Sequence, residues 1–210
     1  VAVYEHCGFA GTVDLTAVQP ILGLAGLWWS IALLWVMSYP GSATFWNTRP
    51  MLGLMGILVL IPAWSAIIYL LEDPQGRWLL LFMFVIVAGA DIGAYFSGKQ
   101  FGKRKLALAV SPGKSWEGVW GGLVVCALLA LLVSNWIQPP QLSQGAILAI
   151  VLTTAFVSVL GDLLESMVKR QRGVKDSGTL LPGHGGILDR IDGHTAAAPI
   201  FALGLILAGW

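Results

Sequence analysis

The stretch LSQGAILAIVLTTAFVSVLGDLLESMV, residues 142–168, is an apolar run that meets its first charged residue only at Asp162. A bilayer core of about 30 Å takes roughly 20 apolar residues to cross as an α-helix. The run is therefore predicted to be a transmembrane helix, with Asp162 and Glu165 close to one of its ends.

Five more stretches are long and apolar enough to qualify, or nearly so, and the composition agrees with this. Hydrophobic residues make up 57% of the 210 residues and charged residues only 11%, whereas a soluble domain has about 25% charged residues. The mean hydropathy is +0.78. We predict an all-α, polytopic integral membrane protein with about six transmembrane helices, the last of them short: residues 18–39, 51–71, 78–97, 118–137, 142–168 and 195–210.

The chain begins with Val1, and no short leader precedes the first apolar run. We expect it to be an N-terminally truncated piece of a longer helical bundle. The two cysteines, Cys7 and Cys126, form neither a metal-binding spacing nor a disulfide framework. Gly118 and Gly122 have the spacing that allows a close approach between membrane helices.

The positions of the lysine and arginine residues predict how the helices are oriented across the membrane. Every lysine and arginine except Arg77 falls in the first, third or fifth connection between the predicted spans. Alternating crossings place these three connections on one face, and positive charge marks the cytoplasmic face. Residues 98–117 and 169–194 are therefore predicted to be cytoplasmic loops. The basic cluster at residues 103–105 is expected to enforce this topology or to touch anionic lipid headgroups.

Acidic residues inside the apolar runs are the first sign of a functional site. Asp91 lies inside the third predicted span, where exposure of a carboxylate to lipid is costly. It either faces a cavity or makes a structural polar contact between helices. In the fifth span, four polar positions at i, i+3, i+4 and i+7 share one stripe of the helix: Asp162, Glu165, Ser166 and Lys169. The stripe favours a functional role for this helix end over an ordinary membrane boundary.

Two further carboxylates precede the last span. Asp189 and Asp192 are three residues apart, so they point the same way if a helix has begun there. Hard divalent cations such as Mg²⁺ take oxygen ligands, commonly one or two carboxylates together with substrate phosphates. Asp162 lies at the same predicted membrane boundary and could supply a third carboxylate. We therefore predict a metal site formed by Asp162, Asp189 and Asp192.

The loop before the last span has a composition suited to phosphates. Residues 182–186, PGHGG, provide an open backbone whose N–H groups can approach phosphate oxygens closely. In the other long loop, Lys114 follows a proline and a glycine and is a candidate for phosphate binding. Basic residues and a histidine accompany the carboxylates, namely Lys169, Arg170, Lys175, His184 and Arg190. Cations and carboxylates together predict a metal–polyphosphate site.

Two segments carry a resemblance to a known family. Residues 166–192, SMVKRQRGVKDSGTLLPGHGGILDRID, resemble the signature of bacterial-type phosphatidate cytidylyltransferases, which are also called CDP-diacylglycerol synthases. Residues 90–118, ADIGAYFSGKQFGKRKLALAVSPGKSWEG, resemble the other cytoplasmic loop of that family. The first match covers 27 positions and includes every characteristic polar residue, so it is far more specific than a short motif.

The resemblance implies an enzyme of the bacterial inner membrane with a cytoplasmic active site. It would transfer CMP from CTP to phosphatidic acid, giving CDP-diacylglycerol and pyrophosphate in phospholipid biosynthesis. Asp162, Asp189 and Asp192 would hold Mg²⁺, and a second cation is left open. Lys169 and Lys175 are the other catalytic candidates. Implied substrate-binding residues are Ser166, Arg170, Asp176, His184, Gly185, Gly186 and Arg190, joined by Lys114 and Asp91.

The same resemblance sets expectations for partners and for the division of the chain. The expected partners are CTP, phosphatidic acid and the lipid bilayer, with no nucleic acid, and a homodimer is left open. Residues 1–87 would be an N-terminal transmembrane region of about two and a half spans. Residues 88–210 would be the catalytic membrane region with the two cytoplasmic loops.

Three other functions are alternatives. A cation- or proton-coupled transporter explains Asp91 and Asp162 as ion sites, but it explains neither the Gly-rich loop nor carboxylates grouped at one interface. A closely related enzyme would transfer CMP to another lipid phosphate. A structural subunit would have no need of three clustered aspartates.

Overall fold

The computed structural model describes residues 15–137, 142–178, 180 and 185–210. The chain forms α1 (Leu15–Met37), the single turn α2 (Ala43–Trp46), α3 (Arg49–Glu72) and α4 (Gly76–Phe101). Strands β1 (Lys105–Ala107) and β2 (Ser111–Ser115) then pair as an antiparallel hairpin. Helices α5 (Trp116–Ile137), α6 (Gln144–Gln171) and α7 (Leu188–Leu207) complete the bundle.

Five helices are long and apolar enough to cross a membrane, by length and composition: Val18–Met37 of α1, α3, α4, Trp116–Ser134 of α5, and α6. The prediction of an all-α, polytopic membrane protein is confirmed. The hairpin was not predicted.

The sixth predicted span, residues 195–210, differs from the helix that the structure contains. Helix α7 begins at Leu188, earlier than predicted, and it is not among the five helices of membrane-spanning composition. The physical reason is that its first turns carry Asp189, Arg190 and Asp192, which a hydropathy pattern assigns to a loop. The helix nevertheless runs the length of the bundle. Its start contacts the end of α6, and Trp210 beyond its end donates from Nε1 to Asp73 in the α3–α4 turn, at 3.0 Å.

The long polar connections meet at one end of the bundle, which we call the basic end. Here Arg170 near the end of α6 donates from Nε to the Val110 carbonyl oxygen in the hairpin, at 3.2 Å. The hydroxyl of Tyr39 lies 3.2 Å from Oε1 of Gln171. Alternating helices bring every lysine and arginine except Arg77 to this end, as the charge pattern predicted.

Helix α6 is the central helix of the five. Just over half of its apolar window (56%) is buried inside the protein, against a third (33%) for each of the other four. Ser143 caps its first turn by accepting a hydrogen bond from the Ala146 N–H at 3.1 Å. The helix therefore holds its polar end at the centre of the basic end rather than at the lipid-facing surface.

Helices α4 and α5 pack through backbone contacts at small residues. A Cβ added at Gly118 would lie 2.9 Å from the Ala94 carbonyl oxygen, and one at Gly122 would lie 2.6 Å from that of Ala90. The close packing predicted for Gly118 and Gly122 is confirmed. Helices in lipid associate through such contacts because lipid provides no hydrophobic driving force between them.

Gly122→Ala should destabilise the protein, because the added methyl group forces α4 and α5 apart. Overpacking of this kind costs about 1–3 kcal/mol, which thermal unfolding of the purified protein in detergent will show as a lower melting temperature. Gly23→Ala on α1 is the matched control, since a Cβ there meets no atom within 4 Å. Equal melting temperatures for the two variants would contradict the packing argument.

Candidate active site

A group of charged and polar side chains at the basic end, which we call the polar cluster, consists of Asp91, Lys114, Asp162, Glu165, Ser166, Lys169, Asp189 and Asp192. Lys169 lies at its centre. Its ammonium nitrogen is 2.9 Å from Oε2 of Glu165, one turn earlier on α6, and 2.6 Å from Oδ1 of Asp189 in the first turn of α7. All three side chains are at least 86% buried, with exposed fractions of 14%, 9% and 11%. Buried carboxylates need a paired cation, so Lys169 ties α6 to α7 at this level.

The loop between α6 and α7 closes on Asp189. The Ser177 N–H donates to both carboxylate oxygens at 3.1 and 2.9 Å, and the Gly186 N–H donates to Oδ2 at 2.7 Å. Burial by itself raises the pKa of Asp189. The hydrogen bonds from Lys169 and from these backbone N–H groups outweigh burial and hold the pKa well below its usual range.

Gly185 and Gly186, which were predicted to bind substrate, each occupy a position where a side chain would not fit. Gly185 has a φ of +79°, and a Cβ there would lie 2.7 Å from Oδ2 of Asp189. A Cβ at Gly186 would lie 2.9 Å from the backbone nitrogen of Gly178 and would overlap the Ser177 hydroxyl. Both positions let the loop backbone reach the carboxylate.

Asp162 is paired with a residue from the other loop. Lys114 at the end of β2 places its ammonium nitrogen 2.5 Å from Oδ2 of Asp162. The hydroxyl of Ser166, one turn later on α6, donates to Oδ1 at 3.2 Å. Asp91 on α4 interacts electrostatically with both Lys114 and Asp162. The structure therefore brings together Asp91, Lys114, and the pair Asp162 and Ser166, from three distant parts of the sequence.

Asp192 faces the same region from α7. It interacts electrostatically with Asp162 and Lys114, and its Oδ1 accepts a hydrogen bond from the Gly193 N–H at 2.7 Å. A Cβ at Gly161 would lie 2.5 Å from the Asp192 carbonyl oxygen, so the two helix backbones nearly touch here. This contact sets the distance between the carboxylates of α6 and α7.

The predicted metal ligands offer suitable donors, but they do not converge. Carboxylate and hydroxyl oxygens are the ligands that Mg²⁺ prefers, and the carboxyl groups of Glu165 and Asp192 lie side by side. Among the described residues, however, no three Asp, Glu, His or Cys side chains lie close enough to share one ion. Ammonium groups of Lys114 and Lys169 contact Asp162 and Asp189 instead. The metal assignment stays a prediction.

The remaining predicted residues lie around this cluster or outside the described part. Arg170 holds the hairpin to α6. Lys175 and Asp176 are exposed on the loop after α6, and they form no ion pair within the described ranges. Arg190 is exposed in the first turn of α7. His184 lies outside the described residues.

Sequence reasoning missed two participants. Glu165 was seen on the polar stripe of α6 but was not assigned to the site, although its spacing of four residues from Lys169 was a usable signal. The backbone N–H of Ser177 had no signal, because a main-chain donor leaves no trace in residue type.

Two cavities border the cluster. One of about 340 Å³ lies between α4, α5 and the hairpin. It is the more polar of the two, and its lining includes Asp91, Tyr95, Lys99, Lys114 and Ser115 beside small and apolar residues. The other, of about 360 Å³, is mostly apolar and lies between α3, α6 and α7, with Glu165, Lys169 and Asp192 at its polar end. Both volumes fall in the range of small-molecule sites.

The sequence of the chain is similar to those of known proteins over most of its length. The chain matches the cytidylyltransferase family over residues 6–207. It is 50% identical to a phosphatidate cytidylyltransferase of Pseudomonas aeruginosa, over all of this chain and 74% of that protein. It is 50% identical to one of Haemophilus influenzae, over 92% of this chain and 70% of the other. A chloroplastic phosphatidate cytidylyltransferase of Arabidopsis thaliana is 46% identical over 57% of this chain and 31% of its own length.

Lys169→Met should destabilise the protein, because it leaves the carboxylates of Glu165 and Asp189 without their cation. Removing one partner of a fully buried pair costs about 3–5 kcal/mol, which is an upper limit for these slightly exposed groups. Thermal unfolding will measure the loss. Lys103→Met, at an exposed position of the basic end, is the control and should melt like the unmodified protein. A Lys169→Met protein of unchanged stability would show that the pair contributes nothing.

Proposed function

The chain belongs to the cytidylyltransferase family, and from this premise we propose that it transfers CMP from CTP to phosphatidic acid, giving CDP-diacylglycerol. Two bacterial relatives of 50% identity are named for phosphatidate cytidylyltransferase activity. The observation that carries the proposal is the polar cluster itself. Carboxylates and ammonium groups are paired at one end of a membrane bundle, between a polar and an apolar cavity.

The reaction depends more on neutralising the negative charge of its two substrates than on a general base. A phosphate oxygen of phosphatidic acid would attack the α-phosphorus of CTP and form a new P–O bond. The bond from that phosphorus to the oxygen bridging the β-phosphate breaks, and its electron pair leaves with pyrophosphate. The attacking oxygen is already anionic at neutral pH. The main obstacle is repulsion between two polyanions, which positioning and electrostatic stabilisation overcome.

Lysines at the basic end are placed to reduce this repulsion. The ammonium groups of Lys114 and Lys169 are held at 2.5 and 2.6 Å from carboxylates, so their positions are set before a substrate binds. Phosphate oxygens would compete with the carboxylates for the same N–H donors. Lys175 and Arg190 would add positive charge at the loop and at the start of α7.

Mg²⁺, when bound, would neutralise phosphate charge and align the triphosphate. Asp162, Asp189 and Asp192 are its proposed ligands, and the hydroxyl of Ser166 beside Asp162 is a further oxygen donor. Oxygen-only donors support a hard cation in this position. A second cation stays a prediction.

The membrane setting completes the proposal. We place the basic end on the cytoplasmic side of a bacterial inner membrane, which the distribution of lysine and arginine supports. CTP would enter there from the cytoplasm, while phosphatidic acid stays in the bilayer. A homodimer stays a prediction. The transporter hypothesis is not favoured, because the chain matches the cytidylyltransferase family and relatives named as phosphatidate cytidylyltransferases.

Asp162→Asn and Asp192→Asn should each reduce CTP-dependent CDP-diacylglycerol formation by at least about 100-fold, the usual size of a lost electrostatic contact to the transition state. Incorporation of radiolabelled CTP into lipid, in membranes supplied with phosphatidic acid, measures this. Asp189→Asn is less informative, because Asp189 also holds the loop and Lys169. Glu72→Gln, an exposed carboxylate change at the opposite end, is the control and should keep full activity.

Two results would separate the parts of this proposal. If the unmodified protein forms no lipid product from CTP and phosphatidic acid, the transferase assignment fails. If it forms the product equally well with excess chelator, the metal assignment alone fails. Near-normal turnover of Asp192→Asn across a Mg²⁺ series would likewise remove Asp192 from the site.

A further inference from the structure

The apolar cavity is lined by hydrophobic side chains along its walls and by charged side chains at one end. Side chains from α3, α6 and α7 form the walls, and they include Met55, Val59 and Leu164. At one end the lining changes to Glu165, Lys169, Asp192 and Arg172. Hydrocarbon thus gives way to two cationic and two acidic side chains within one cavity of about 360 Å³. An amphipathic molecule matches this division if its anionic group meets Lys169 and Arg172 rather than the carboxylates.

One buried polar atom on its lining residues lacks a partner within the part of the chain that the structure describes. Trp29 is only 3% exposed, and its Nε1–H has no acceptor among the described residues. The buried carboxyl of Glu165, by contrast, lies beside that of Asp192. Buried polar groups in proteins are nearly always satisfied. Trp29 can only donate. It lines this cavity and also one of about 610 Å³ between α1, α6 and α7, and an ester carbonyl oxygen in either would satisfy it.

The cavity also reaches the surface that faces the bilayer. Leu60 on α3 lines it and is 52% exposed, as expected for a side chain at a lipid-facing rim. Nearer the basic end, the half-exposed Leu188 lines it as well. A lipid could enter sideways from the bilayer without passing through water.

We propose that this cavity binds the acyl-glycerol part of phosphatidic acid, with the lipid phosphate beside Lys169 and Arg172. The inference rests on the proposed function and adds the location of its lipid substrate. The two cavities share no lining residue among the described residues, and the polar one borders Lys114. The lipid and the triphosphate therefore approach the polar cluster from different sides of α6.

Gly56 on α3 offers a direct test, because it lines the cavity and a Cβ there meets no atom within 4 Å. Gly56→Leu adds bulk at the cavity wall, and its Cβ has open space. Gly53, one turn earlier, is exposed, does not line this cavity, and has equally open space. Gly53→Leu is thus a matched control with the same change in helix propensity.

For the unmodified protein and both variants, kinetics with dioleoyl and dihexanoyl phosphatidic acid should be compared at saturating CTP. Gly56→Leu should raise KM for the dioleoyl substrate by about tenfold, equivalent to about 1.4 kcal/mol, and raise it less for the dihexanoyl substrate. KM for CTP should stay unchanged, and Gly53→Leu should match the unmodified protein. Equal kinetics for Gly56→Leu and Gly53→Leu would overturn the inference.

A binding measurement keeps the inference testable if the proposed activity fails. Dioleoyl phosphatidic acid retained by the three purified proteins, without CTP, can be counted by native mass spectrometry. Retention lost in Gly56→Leu but kept in Gly53→Leu would support the lipid site even for an inactive chain. Equal retention by all three proteins would refute it, whatever the activity.

Discussion

The contact of the Lys169 ammonium group with Glu165 and Asp189 is the interaction on which the polar end of this protein depends. Its members belong to two helices, and the loop between those helices donates two further N–H groups to Asp189. Mostly buried charges are tolerated only when they are paired and hydrogen-bonded. Satisfying this one carboxylate therefore fixes the start of α7, the end of α6 and the path of the loop together.

Close backbone contact makes that arrangement compact. At Gly161 the backbone of α6 meets the carbonyl oxygen of Asp192, so the neighbouring carboxylates come within electrostatic reach. The α4–α5 pair uses the same principle at Gly118 and Gly122. Since lipid tails are as apolar as the helix surfaces, small residues and polar contacts supply the specificity that hydrophobic burial supplies in water.

The sequence was informative wherever one helix or one charge rule decided the outcome. Apolar runs predicted the five spans, and the spacing of Asp162, Ser166 and Lys169 placed them on one face of α6. Contacts between distant segments were not accessible. The pairing of Lys114 with Asp162 depends on a hairpin whose strands are too short to give a recognisable pattern in the sequence. The start of α7 at Leu188 was not predicted, because a hydropathy pattern assigns charged residues such as Asp189 and Asp192 to a loop even where the folded protein pairs them.

The same ion pairs explain how a site for polyanions stays folded without them. A group of lysines alone would repel one another, as would the carboxylates of Asp91, Asp162 and Asp192 alone. Paired, as Lys114 is with Asp162, they neutralise each other at 2.5 Å. Under the proposed function, a phosphate that attracts Lys114 leaves Asp162 without its cation, and a carboxylate in that state attracts a metal ion. Nucleotide and metal binding are then thermodynamically coupled, each favouring the other.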